Sequence, residues 1–74
     1  PPAHDDDLAL MRLVSAEDPR AQRMVAARLA PRGLRIARSL VRHAEDAKDV
    51  AQEGLLEILR AAASYRGDAS LERW

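Results

Sequence analysis

A chain of 74 residues with no cysteine holds one domain, 1–74, and excludes disulfide staples and thiolate metal sites, so its hydrophobic core must hold it folded unaided. Ala, Leu, Arg and Glu dominate and Phe is absent, which predicts an all-α fold, a small bundle of three to four helices. No apolar run approaches the ~20 residues of a membrane span, and Pro1-Pro2-Ala3-His4 lacks the segments of a secretory signal, so the expected location is a reducing cytoplasm.

In chain order, residues 1–7 are expected to be flexible. Asp5, Asp6 and Asp7 stand at the positive end of a short helix whose apolar face is Leu10, Met11 and Val14. Ser15 to Pro19 forms a turn in which Asp18 caps the next helix and Pro19 takes its first position, where no backbone N–H is missed. That helix is expected from Pro19 to about His43, with apolar steps of three and four. Pro31 within it predicts either a kink or a split into two helices. Asp46 is the expected cap of a third helix, Ala47 to about Ser64. Its stripe of Ala47, Val50, Ala51, Gly54, Ile58, Ala61, Ala62 and Tyr65 faces the core, and Leu55, Leu56 and Leu59 widen the stripe enough to suggest a protein partner. After a loop around Gly67, which permits a left-handed residue, Leu71 to Trp74 reads as the first turn of a fourth helix, capped by Ser70 or Asp68.

A formal net charge of zero conceals a segregation of charge. From Arg12 to Arg42 only Glu17 and Asp18 oppose Arg12, Arg20, Arg23, Arg28, Arg32, Arg35, Arg38 and Arg42. From Glu45 to Glu57 only Lys48 opposes five acids. This reads either as two solvated faces that pair with each other or as a basic surface for a polyanion beside an acidic one for a basic partner.

Nothing in the sequence builds an enzyme site. His4 and His43 are far apart and no metal-ligand spacing exists, the serines have no evident base, and no Gly-rich phosphate loop is present. No catalytic residue, metal or cofactor is expected. Two clusters remain. Asp46, Asp49, Gln52, Glu53 and Leu56 fall on neighbouring helical steps and make an acidic face with an apolar edge, suited to Arg residues of a partner, or else a plain solvated surface. Tyr65, Arg66, Gly67, Asp68, Ser70, Arg73 and Trp74 combine aromatics, Arg and a Gly loop. The mix suits stacked single-stranded bases, or else a core plug of Tyr65 and Trp74; the two roles are compatible.

Together these clusters resemble extracytoplasmic-function sigma factors of the sigma-70 family. Asp46-Ala47-Lys48-Asp49-Val50-Ala51-Gln52-Glu53-Gly54-Leu55-Leu56 is similar to that family's Asp-Ala-Glu-Asp-Leu-Val-Gln-Glu-Thr-Phe-Leu motif. Tyr65-Arg66-Gly67-Asp68-Ala69-Ser70-Leu71-Glu72-Arg73-Trp74 is similar to its Phe-Arg-Gly-Glu-Ala-Ser-Phe-x-x-Trp motif. Upstream, Asp18 to Ala21 and Ala30 to Arg32 look like its first helices, so the resemblance covers roughly residues 8 to 74.

The resemblance implies a region 2 domain that initiates transcription. Asp46, Asp49, Gln52, Glu53 and Leu56 would dock on the clamp helices of the RNA polymerase largest subunit. Tyr65, Arg66, Gly67, Ser70, Arg73 and Trp74 would open and hold single-stranded minus-ten promoter DNA, with Arg35, Arg38 and Arg42 on phosphates. Lys48 replaces an acid, Gly54 sits inside a helix, and Leu55 and Leu59 stand where aromatics are common. The sequence stops at Trp74, inside the family's last region 2 helix, which predicts a truncated domain better equipped for polymerase than for promoter. The alternative expectation is an interaction module that self-associates through an open fourth-helix surface or binds an anti-sigma protein.

Overall fold

The computed structural model describes residues 3–74 and is built of three α-helices followed by a single 3-10 turn. Helix α1 spans Asp5–Ser15, α2 spans Pro19–Leu40, α3 spans Ala44–Arg60, and the 3-10 turn covers Ala62–Ser64. No strand occurs among the described residues, so the all-α expectation holds.

Helix α1 begins at Asp5, inside the segment 1–7 expected to be flexible. Pro1 and Pro2 of that segment lie outside the described residues. Asp5, Asp6 and Asp7 form the first turn of α1, where their charge meets the helix dipole, and Asp7 is buried. Met11 and Val14 face the core as the spacing predicts, with Leu10 packed at its edge. The helix closes with two bonds characteristic of a Schellman motif: Glu17 N–H donates to the Val14 carbonyl (2.9 Å) and Asp18 N–H to that of Leu13 (3.0 Å). Glu17 takes the left-handed position of the motif at φ 64°, a place where glycine would be free of strain.

The predicted start of α2 is observed. The Asp18 carboxylate accepts from the N–H groups of Arg20 (2.9 Å) and Ala21 (3.3 Å), and Pro19 is the first helical residue. Pro31 does not split the helix, which runs unbroken for 22 residues. It ends at Leu40, three residues short of the expected His43, with Val41 already extended. The next helix starts at Ala44, earlier than the expected Ala47. Asp46 therefore lies inside the first turn of α3 and is not its cap; His43 holds that position without a side-chain bond. Glu45 and Asp46 act through the helix dipole instead. The expected end near Ser64 resolves into a stop at Arg60, followed by the 3-10 turn.

The core joins Met11 and Val14 of α1, Ala21, Val25 and Leu29 of α2, and Ala62, Tyr65 and Leu71 from the C-terminal part. Leu55, Ile58 and Leu59 of α3 pack against it. Two of the three leucines assigned to a partner are thus part of the fold, and Leu56 alone stays exposed. Along the remaining α2–α3 contact only Ala37 and Ala47 are buried, while Val50, Gly54 and Ala61 of the predicted stripe are exposed.

A candidate polymerase and nucleic-acid interface

Helix α3 carries the first cluster. At about 100° per residue, Asp46, Asp49, Gln52, Glu53 and Leu56 share roughly one third of the helix circumference, opposite Ala47, Ala51 and Ile58, which turn inward. All five are exposed, so packing of the α3 inner face fixes their direction while leaving them in solvent. Elsewhere on the helix Lys48 pairs with Glu45 (3.5 Å) and Arg60 with Glu57 (2.8 Å). Asp46, Asp49 and Glu53 have no ion-pair partner among the described residues. The pairing of Glu45 leaves the acidic potential concentrated on those three carboxylates, with Leu56 at the edge.

The second cluster follows the 3-10 turn, and here the structure separates residues that the sequence grouped together. Tyr65 is only 5% exposed and belongs to the core, so its ring face is not free to stack with a base. Its hydroxyl donates to the Ala69 carbonyl, closing the loop, and burial, followed by the nearby Asp7 carboxylate, pushes that hydroxyl's pKa up, keeping it a donor. Trp74 meets the Tyr65 ring edge-on, with centroids 5.2 Å apart and planes at 67°, yet remains 45% exposed. The aromatic available to a ligand is therefore Trp74, with Tyr65 as its backing.

Gly67 is buried at φ 77°, a conformation that L side chains rarely adopt, and its carbonyl accepts from His4 N–H at 3.0 Å. From Ser70 the chain turns in helical fashion: the Ser70 carbonyl accepts from the N–H groups of Arg73 and Trp74, both at 3.0 Å. The expected first turn of a fourth helix is present as this hydrogen-bonded turn. Its cap comes from neither Ser70 nor Asp68. Leu71 N–H donates to an Asp7 carboxylate oxygen at 3.2 Å.

That bond belongs to a network with no counterpart in the sequence reading. Arg28 donates to both Asp7 oxygens (2.6 and 3.1 Å) and to both Glu72 oxygens (2.6 and 2.7 Å). The Arg28 guanidinium holds both carboxyls below their ordinary values of 3.8 for Asp7 and 4.5 for Glu72, and the two acids in turn push Arg28 further up. Arg28 is thereby removed from the basic surface to which its place in the Arg-rich run assigned it. With partners 21 and 44 residues away, no local spacing could have revealed the network.

Arg35, Arg38 and Arg42 are exposed towards the end of α2 and in the connection beyond it, and none of them lines the groove that holds Trp74. Arg32 comes closer. With Ile36, Leu71, Arg73 and Trp74 it lines a groove of about 310 Å³. A four-residue step from Arg28 places Arg32 one turn further along the same side of α2, a signal that periodicity alone could have supplied. Arg66 borders a separate cleft of about 460 Å³ shared with Leu8, Arg12 and Ala63. Among the described residues no three His, Cys, Asp or Glu side chains converge to hold a metal ion, and no helix is long and apolar enough to cross a membrane.

Residues 25–74 match Sigma-70 region 2, and the chain belongs to that family. Neither a curated protein nor a solved structure matches it. The family is a transcription-initiation-factor domain, with a general role in binding RNA polymerase and recognising promoters, and is not a known enzyme family.

Proposed function

We propose that this chain is the region 2 domain of an extracytoplasmic-function sigma factor. In this reading α3 docks on the clamp helices of the polymerase largest subunit, and the 65–74 segment holds non-template single strand of the minus-ten element. The observation that carries it is the solvent-facing set of Asp46, Asp49, Gln52, Glu53 and Leu56 on the outer side of α3, whose three acids have no ion-pair partner among the described residues. Carboxylates left free on a rigid helix can accept bidentate bonds from arginines, and an apolar neighbour excludes water at the centre of such a contact. For DNA, Trp74 supplies the stacking face with Arg73 beside it in one groove, while Arg66, Gly67 and Ser70 of the preceding loop meet the strand on either side. Tyr65 supports Trp74 from behind, and Arg35, Arg38 and Arg42 meet phosphates further along the strand.

Titration against an isolated clamp-helix fragment tests the docking. Asp49→Arg is expected to weaken binding by at least tenfold, since it places a like charge against the partner's arginines; unchanged affinity would end the assignment. Fluorescence anisotropy with a minus-ten non-template oligonucleotide tests the second contact. Trp74→Ala should cost about fivefold to a hundredfold, the range of one lost base stack.

Self-association is a second reading, favoured by the apolar groove between α2 and α3, where Ile36, Leu40 and Val50 are exposed. A second copy turned antiparallel would set the arginines of α2 against the acids of α3 on its neighbour. Sedimentation that shows a monomer at high concentration would dismiss it.

A further inference from the structure

We propose that Arg28 is a positioning residue for single-strand binding: by gripping Asp7 and Glu72 together it holds the turn that presents Arg73 and Trp74. This inference rests on the single-strand reading above.

The geometry supplies three tethers on one short segment. The Gly67 carbonyl is held by His4 N–H at 3.0 Å, Leu71 N–H by Asp7 at 3.2 Å, and the Glu72 carboxylate by Arg28 at 2.6 and 2.7 Å. Each ties the segment to α1, to α2, or to the residue just before α1. Leu71 is buried in the core between the last two tethers. Trp74 follows within one turn, its N–H bonded to the Ser70 carbonyl. A base stacked on Trp74 needs a ring that is in place before the strand arrives, because every degree of freedom frozen on binding weakens affinity. Arginine suits this role for a reason of shape: a planar fork can hold two carboxylates in one plane, which a lysine ammonium cannot do with fixed direction. Arg28, already neutralised by two acids, has little charge left to offer a phosphate.

Charge and position predict opposite signs, and this makes the inference testable. Glu72→Gln removes a negative charge close to a polyanion, so charge alone predicts tighter binding. Positioning predicts weaker binding. Anisotropy titrations of the whole chain with the minus-ten oligonucleotide should show Glu72→Gln and Arg28→Lys weakened by about fivefold or more. Clamp-helix affinity should stay within about twofold in both, since α3 presents its outer face independently of this network. Iodide quenching of the single tryptophan, measured without DNA, should increase in both variants. Glu72 is half-exposed, so its variant is expected to keep wild-type helicity by circular dichroism even if Arg28→Lys does not.

Tighter or unchanged DNA binding by Glu72→Gln overturns the inference, as does unchanged quenching. Failure of the wild-type chain to bind the oligonucleotide overturns the single-strand reading instead, while the quenching result judges the brace separately.

Discussion

The two ends of this molecule are built on different principles. At one end α1, the middle of α2 and the C-terminal turn enclose Met11, Val25, Tyr65 and Leu71, and Arg28 fastens the rim. At the other, α2 and α3 meet through Ala37 and Ala47, while Leu40 is 71% and Val50 42% exposed. The first end is held by side-chain volume and ionic bonds. The second is held by the close approach of small residues and a short connection. The nucleic-acid candidates around Trp74 sit on the braced end, where position is fixed from several directions. The acidic face needs less, because a helix keeps its own side chains in register.

Core truncation should break this contrast most sharply. Met11→Ala at the braced end is expected to cost about 2–5 kcal/mol in urea unfolding, a large share of the roughly 4–11 kcal/mol available to a domain of this size. Asp7→Asn is expected to cost about 1–3 kcal/mol, since the arginine it abandons is only partly buried.

The same network sets a pH dependence. Asp7 and Glu72 are more acidic in the folded chain than unfolded, so their contribution is complete above the ordinary values of 3.8 and 4.5. It is lost as pH falls through the lower folded values. Thermal melts should therefore be flat in this respect from pH 7 to about pH 5 and fall below about pH 4.5, with a shallower fall in the double variant Asp7→Asn, Glu72→Gln.

Smaller effects sharpen the comparison. Asp18→Ala, removing the two cap bonds of α2, should cost about 1 kcal/mol by thermal unfolding. At the open end the sign reverses: Gly54→Ala should stabilise by about 0.5–1 kcal/mol, because a Cβ there meets nothing within 4 Å and the helix gains propensity. Leu40→Ser should change stability by no more than about 0.5 kcal/mol. A larger loss would mean that the open end is covered in solution.

Local signals in the sequence carry far where the interactions are local. Asp18 before Pro19 marks the start of α2, Gly67 marks a left-handed residue, and the three-and-four spacing of Asp46, Asp49, Gln52, Glu53 and Leu56 marks one exposed face. The errors arise where distant residues decide. Asp7 reads as a solvated acid at a frayed end until Arg28 and Leu71 arrive from elsewhere in the chain. Tyr65 reads equally as a stacking ring or a core plug, and only the closing of the core over it selects the plug. The start at Ala44 is not legible because Asp46 offers a plausible cap, while dipole effects over a first turn tolerate several starting points.

The lateral arrangement of α2 and α3 has one more consequence. Exposed arginines on one helix and exposed carboxylates on its antiparallel neighbour give a neutral molecule a transverse dipole. A neutral body in the field of a charged surface feels little net pull, but it does feel a torque. Near an arginine-rich protein or a phosphate backbone the chain would be turned to present the matching side before contact, so ionic strength should act on its orientation during encounter more than on its long-range attraction.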